Sequence, residues 1–195
     1  MIVRFKPEPD REKFGFQRAV RKTFSFLEPM GFQIVDDLVT FVRFESNDCF
    51  MNVYHGRGSY ELGVEVGRKI IPDTRYRLPD VLRVLAPEFA SEASYQASNP
   101  GAVVNCVQKL GNLTKQYCGP LWSGSEQVWE EIDWKRSVAA IEETKKYTLG
   151  SIREKAQEAW RHKDYRRVVD AYEQMLADLT EVERKRLSFA TKHLH

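Results

Sequence analysis

The first apolar stripe of the chain has a helical period. Phe16, Val20, Phe24 and Leu27 recur at spacings of four, four and three, so a helix over residues 10–28 carries all four on one side. Asp10 is placed to cap it, Lys and Arg are strung along its outer side, and Pro29 followed by Gly31 ends it. The period then drops to two. Residues 32–44 are rich in β-branched and aromatic side chains, with Val39, Phe41 and Arg43 alternating against Thr40, Val42 and Phe44. Ser46-Asn47-Asp48 reads as a turn, residues 49–55 as a second strand, and Gly56-Arg57-Gly58 as a second turn. Residues 59–71 alternate most strictly, Tyr60, Leu62, Val64 and Val66 against Ser59, Glu61, Gly63 and Glu65, which predicts one buried face and one wet face. Consecutive strands joined by short turns predict an antiparallel meander with the first helix over its apolar face.

After Pro72-Asp73 the pattern becomes helical again. Leu78-Pro79-Asp80 opens a short helix that stops at Ala86-Pro87. Residues 88–101 are rich in Ala and Ser, end in Asn99-Pro100-Gly101, and read as a mobile loop. A helix is expected over 102–117, closed by Cys118-Gly119-Pro120. Another follows a cap at Ser123 or Ser125, runs to Tyr147, and is expected to break at Gly150-Ser151. Residues 151–195 are helical in composition. Ala156, Ala159 and Trp160, then Lys163-Asp164-Tyr165, then Val168, Val169, Ala171, Tyr172 and Leu176, resemble a single tetratricopeptide-type helical hairpin, without that family's Leu-Gly pair and without its closing Pro. No second copy lies upstream, and one such hairpin needs a neighbour to bury its faces, so a plain hairpin docked on the main domain is the competing reading. The expected fold is therefore α+β. An N-terminal helix packs on a three-stranded or slightly larger antiparallel meander in a domain over residues 1–120, and a helical extension covers 121–195.

Charge changes this picture only in its distribution. The net charge of the 195 residues is +2, but it is segregated. Residues 1–25 carry seven Lys/Arg and three Asp/Glu, residues 26–134 nine and fifteen, and residues 135–195 fourteen and ten. An acidic middle between basic ends points to an oppositely charged partner or to internal complementarity. The three cysteines, Cys49, Cys106 and Cys118, form no CxxC, which fits a reducing, cytoplasmic compartment. The first residues lack the apolar run of a signal peptide, and no window has the apolar length of a membrane-spanning helix.

Candidate chemistry is sparse. Among His55, His162, His193 and His195 only the last two are close, so no metal site and no cofactor is expected. Cys49 and His55 share a strand, six residues apart, too far for direct proton transfer. The sequence has no GxSxG elbow and no Walker A loop. The pairs Pro72-Asp73 and Pro79-Asp80 and the triplets Glu143-Thr144-Lys145 and Glu183-Arg184-Lys185 imitate a metal-dependent nuclease, but both triplets fall on helices, where they read as solvated charge. Lys163, Tyr165, Arg166 and Arg167 beside Trp160 and Arg161, like Arg18, Arg21 and Lys22, imitate a nucleic-acid surface. Interleaved acids favour a plain helix surface, and nucleic acid is not the expected partner.

Two readings remain. The stretches FSFLEPMGF, FVRFES and SYELGVEVGR resemble in layout small uncharacterised bacterial proteins of the immunity and defence type, and the resemblance implies a protein that binds one partner tightly. On that reading the chain is a non-catalytic, cytoplasmic adaptor or immunity protein. It meets another protein through Asp36, Asp37, Glu45, Asp48, Glu61 and Glu65, and homodimerisation stays open. On the other, it is a small enzyme or nucleotide-binding protein whose site gathers His55, Glu61 and Glu65 on the polar face of the sheet.

Overall fold

A computed structural model describes residues 9–194. Among these residues six strands form one antiparallel sheet: β1 (Gln33–Leu38), β2 (Phe41–Glu45), β3 (Cys49–His55), β4 (Glu61–Arg68), β5 (Tyr76–Arg77) and β6 (Tyr95–Gln96). The first five follow chain order, β1-β2-β3-β4-β5, and β6 also pairs with β4. The two short strands thus share the far edge of β4, β6 beside Glu61–Leu62 and β5 beside Glu65–Val66. Among the described residues there are seven α-helices: α1 (Phe16–Thr23), α2 (Leu78–Leu85), α3 (Pro100–Tyr117), α4 (Gly119–Trp122), α5 (Glu126–Arg161), α6 (Tyr165–Glu173) and α7 (Glu181–Lys192). The molecule is α+β, with an antiparallel sheet in the first half and helices after it.

Several elements depart from the sequence pattern, each for a local reason. The stretch expected as one helix over 10–28 is three pieces: a 3-10 turn at Pro9–Phe14, α1, and a second 3-10 turn at Ser25–Met30. Gly15, at φ 63°, supplies the left-handed residue that lets the chain turn into α1. The stripe survives the interruptions, since Phe16, Val20, Phe24 and Leu27 are all buried. The expected single strand over 32–44 is a hairpin. Leu38 pairs with Phe41 across Val39-Thr40, and a register shift falls between Ile34 and Asp36. This turn carries no Gly, Asn or Asp, so nothing in its composition announced it. Asn99-Pro100 is not a loop but the start of α3, with Asn99 Oδ1 accepting from Ala102 N at 2.9 Å and Pro100 in the first turn. A 3-10 turn at Pro87–Glu92 and β6 occupy most of the rest of that stretch. The break expected at Gly150-Ser151 does not occur. α5 runs through it for 36 residues, and Gly150 has open space where a side chain would stand.

The chain divides into two compact units, one ending at Lys135 and one starting at Arg136, later than the break anticipated at 120/121. Trp129 and Ile132 explain the shift, because both are buried in the core of the first unit. That core lies on one face of the sheet. It gathers Val42, Phe44, Met51, Val53, Leu62, Val64 and Val66 with Phe16 and Val20 of α1 and Val103, Val107 and Leu110 of α3. The second unit has its own smaller core of Ala156, Ala159, Val168, Val169, Ala171, Tyr172, Met175, Leu179 and Ala190. Its helices are capped by side chains. Asp164 accepts from Arg167 N, and Thr180 with Glu183 closes a reciprocal capping box at the start of α7. No helix among the described residues is long and apolar enough to cross a membrane.

Candidate functional site

The other face of the sheet carries the acidic residues singled out in the sequence. Its positions are fixed by register: Phe50 stands opposite Gly67, Asn52 opposite Glu65 and Arg43, and Tyr54 opposite Gly63 and Phe41. The glycines are needed for space. A Cβ on Gly63 would strike the Tyr54 ring, and one on Gly67 would strike the Phe50 ring and stand 2.6 Å from the Thr74 carbonyl oxygen. Two aromatic rings therefore lie over bare backbone. The Arg43 guanidinium covers Phe50 at 4.1 Å from the ring centre, which buries Phe50 although it faces away from the apolar core.

Around these rings the charges are paired. Arg43 Nε donates to Glu45 Oε1 at 2.7 Å, and Lys69 reaches Glu45 at 3.1 Å. Arg43 Nη1 also donates to Asn52 Oδ1 at 3.1 Å, and Asn52 Nδ2 donates to Glu65 Oε2 at 3.4 Å. Arg75 stands 4.0 Å from Glu65. Glu61 accepts from Tyr54 Oη at 3.4 Å and from Ser94 Oγ at 3.5 Å, and it pairs with Arg77. The hydrogen bond from Arg43, with Lys69 behind it, holds the Glu45 carboxyl below its ordinary pKa despite some burial, whereas burial and the neighbouring Glu61 push the Tyr54 phenol up. Glu45, Glu61 and Glu65 are thus neutralised by their own neighbours.

His55 is not among them. It pairs with Leu62 in the β3–β4 register and so faces the apolar core, on the opposite side of the sheet from Glu61 and Glu65. It is 1% exposed, set edge-on to Phe14 at 5.4 Å and within 6.0 Å of Phe16 and Tyr60. Its Nε2 lies 2.9 Å from the Ala97 carbonyl oxygen, so Nε2 carries the proton and donates. Burial lowers the pKa of the ring. The bond to Ala97 works against this, and the Arg11 guanidinium adds to it. The grouping of His55 with Glu61 and Glu65 is corrected accordingly: a one-residue change of phase puts them on different faces.

Burial pushes the Cys118 thiol up to about 12 and raises Cys49 and Cys106 as well. Among the described residues no group of three or more His, Cys, Asp or Glu side chains could hold a metal ion. The nuclease-like triplets have other employment, since Glu183 pairs with Arg153 and caps α7, and Lys145 pairs with Asp178.

Of the remaining acids, two lie on β1 and one lies in the turn between β2 and β3. Asp36 and Asp37 sit within this strand, not at a turn. Asp37 accepts from Gln17 Nε2 at 3.0 Å and pairs with Arg21 of α1. Asp36 stands across from Arg43 in the register, with no side-chain bond among the described residues. Asp48 lies in the turn before β3, where its backbone carbonyl accepts from Lys69 N at 2.7 Å. β1 ends the strand order, and its apolar side chains are bare: Val35 is 51% and Leu38 55% exposed, and Ile34 is exposed as well. These apolar positions went unmarked in the sequence because the hairpin turn that makes β1 an edge was itself unmarked. Comparison with known proteins adds no relative: no family model matches the chain, and no curated protein or solved structure matches it.

Proposed function

We propose that this chain is a partner-binding protein of the adaptor or immunity type, acting in the cytoplasm without chemistry of its own, and that β1 is where the partner protein docks. One observation carries the reading: β1 is an end strand whose apolar side chains Ile34, Val35 and Leu38 stand in water around Asp36. An end strand is a template for an added strand, and exposed apolar side chains along it supply the pockets that choose the partner. Two copies of β1 would not serve each other well, since antiparallel pairing opposes their Asp36-Asp37 pairs. An extended segment that alternates apolar residues with Lys or Arg complements the strand. The other acidic residues considered above, Glu45, Glu61 and Glu65, contribute little on this reading, because each already faces a base.

The experiment is affinity purification of the tagged full chain from its native host at low salt, alongside Val35→Lys, Asp36→Lys and, as a control on the same sheet, Glu65→Gln. A stoichiometric protein retained by the wild type and by the control, and lost from both β1 variants and as salt rises, supports the reading. A chain that comes through without a partner, or β1 variants that keep the partner unchanged, overturns it.

A further inference from the structure

The last helix of the second unit brings basic groups to a cluster of rings. Trp160 of α5, Tyr165 of α6 and Phe189 of α7 meet edge to face, with ring centres between 5.6 and 6.0 Å apart. His193, one turn beyond Phe189, stacks on the Phe189 ring at 4.0 Å, and its Nδ1 donates to the Phe189 carbonyl oxygen at 2.8 Å. Arg186 lies over the Trp160 ring, 5.4 Å from its centre. Trp160 and Tyr165 are half-buried, but Phe189 is 44% exposed and His193 is exposed beside it.

Spacing along α7 places the charges. Lys185 and Lys192 stand four residues before and three after Phe189, so they flank its ring on the side towards water. Arg186 and His193 stand three before and four after, and their ring contacts put them on the side of Trp160 and Tyr165. Phe189 is thus ringed by basic side chains. The sequence has no Asp or Glu after Glu183. The two acids in the first turn of α7 are engaged, Glu183 with Arg153 and Glu181 with Lys185 at 2.7 Å. The second of these pairs lies in open water, where such a bond is readily exchanged. Asp164, beside Tyr165, caps α6 and pairs with Arg167. The acids interleaved around Trp160 and Tyr165 argue against nucleic acid along the chain, but folding adds to these two rings a stretch that carries none.

Open rings rimmed by basic groups match one chemistry. Bases stack on the rings while phosphates meet the ammonium and guanidinium groups. A duplex hides its base faces, and an acidic peptide answers the charges but not the rings. We propose that this end of α7, with Trp160 and Tyr165 behind it, binds single-stranded nucleic acid. A base extends the Phe189–His193 stack, and its flanking phosphates meet Lys185, Arg186 and Lys192. The site is separate from β1 and stands whether or not a protein docks there.

The test is fluorescence anisotropy of the full chain with a short labelled oligodeoxythymidine over a series of salt concentrations. The proposal expects binding at low salt that falls as salt rises, with a log–log slope of about −2 for three phosphate contacts. The matching duplex and polyglutamate compete at least about tenfold less well than unlabelled single strand. Phe189→Leu keeps the apolar bulk but removes the ring, and weakens binding about fivefold or more, whereas Phe189→Tyr does not. Lys185→Gln together with Lys192→Gln weakens binding and lowers the magnitude of the slope by about 1. Both lysines are exposed, so the pair of substitutions leaves helical circular dichroism unchanged. A chain that binds no single strand at low salt overturns the proposal. Duplex or polyglutamate competing as well as the single strand overturns it too, as does binding indifferent to Phe189→Leu or to the paired lysine substitutions.

Discussion

On one face of the sheet, Val42, Met51, Val53, Leu62 and Val66 bury one another together with α1 and α3. On the other face, equally central positions of the same strands carry Arg43, Asn52 and Glu65, and these too are largely withdrawn from water, Asn52 completely. The first face is closed by apolar contact, which has no direction. The second is closed by hydrogen bonds, an arginine over a ring, and rings over glycines, all of which depend on geometry. A face read as wet from its polar residues is therefore partly closed, with its carboxylates paired to bases that remain half-exposed. A carboxylate already bonded to a guanidinium offers little to a partner.

Met51→Ala removes a fully buried side chain, and a loss of about 2–5 kcal/mol is expected in denaturant unfolding. A much smaller loss would mean that this face is not the closed core described here. On the outer face, Gly67→Ala is the sharper probe. The added methyl meets the Phe50 ring and also the Thr74 carbonyl oxygen, a backbone atom that cannot swing aside, so about 1–3 kcal/mol is expected. Gly63→Ala meets only the Tyr54 ring, a side chain that can move, and should cost less. Equal effects at the two glycines would show that the rings are not seated as described.

The smallest effect tests the placement of His55. Its folded-state pKa is depressed by burial, so the unfolded chain takes up the proton first as pH falls. The contribution of His55 to stability is fully present above about pH 6.5, the ordinary value. It is lost as pH drops from there through the folded-state value. Unfolding midpoints measured across this window should decline for the wild type. His55→Gln, which keeps a donor for the Ala97 carbonyl, should flatten that part of the profile. An unchanged profile would return His55 to the solvated face.

Much of the strand pattern was legible because alternation is a local signal. The bounds of β3 and the burial of Leu62, Val64 and Val66 follow from period two, whatever packs on top. The helical stripe Phe16, Val20, Phe24, Leu27 was legible for the same reason, though not the 3-10 turns that interrupt it. The Val39-Thr40 turn was hidden, since two β-branched-type positions within a β-rich run look like more strand. The continuity of α5 through Gly150 was hidden as well, because a glycine weakens a helix by only about 1 kcal/mol and packing on either side outweighs that.

By itself, then, the sequence determined the elements whose apolar residues recur at a fixed local period, together with the class of fold they compose. Which face of the sheet each polar residue occupies, and which charges cancel, depends on pairing between distant strands. His55 joins the apolar core while Glu61 and Glu65 join the paired network, because strand register is set by side chains distant in sequence. The same long-range pairing left β1 at the end of the sheet with its apolar side chains exposed, and no count of residues along the chain contains that fact.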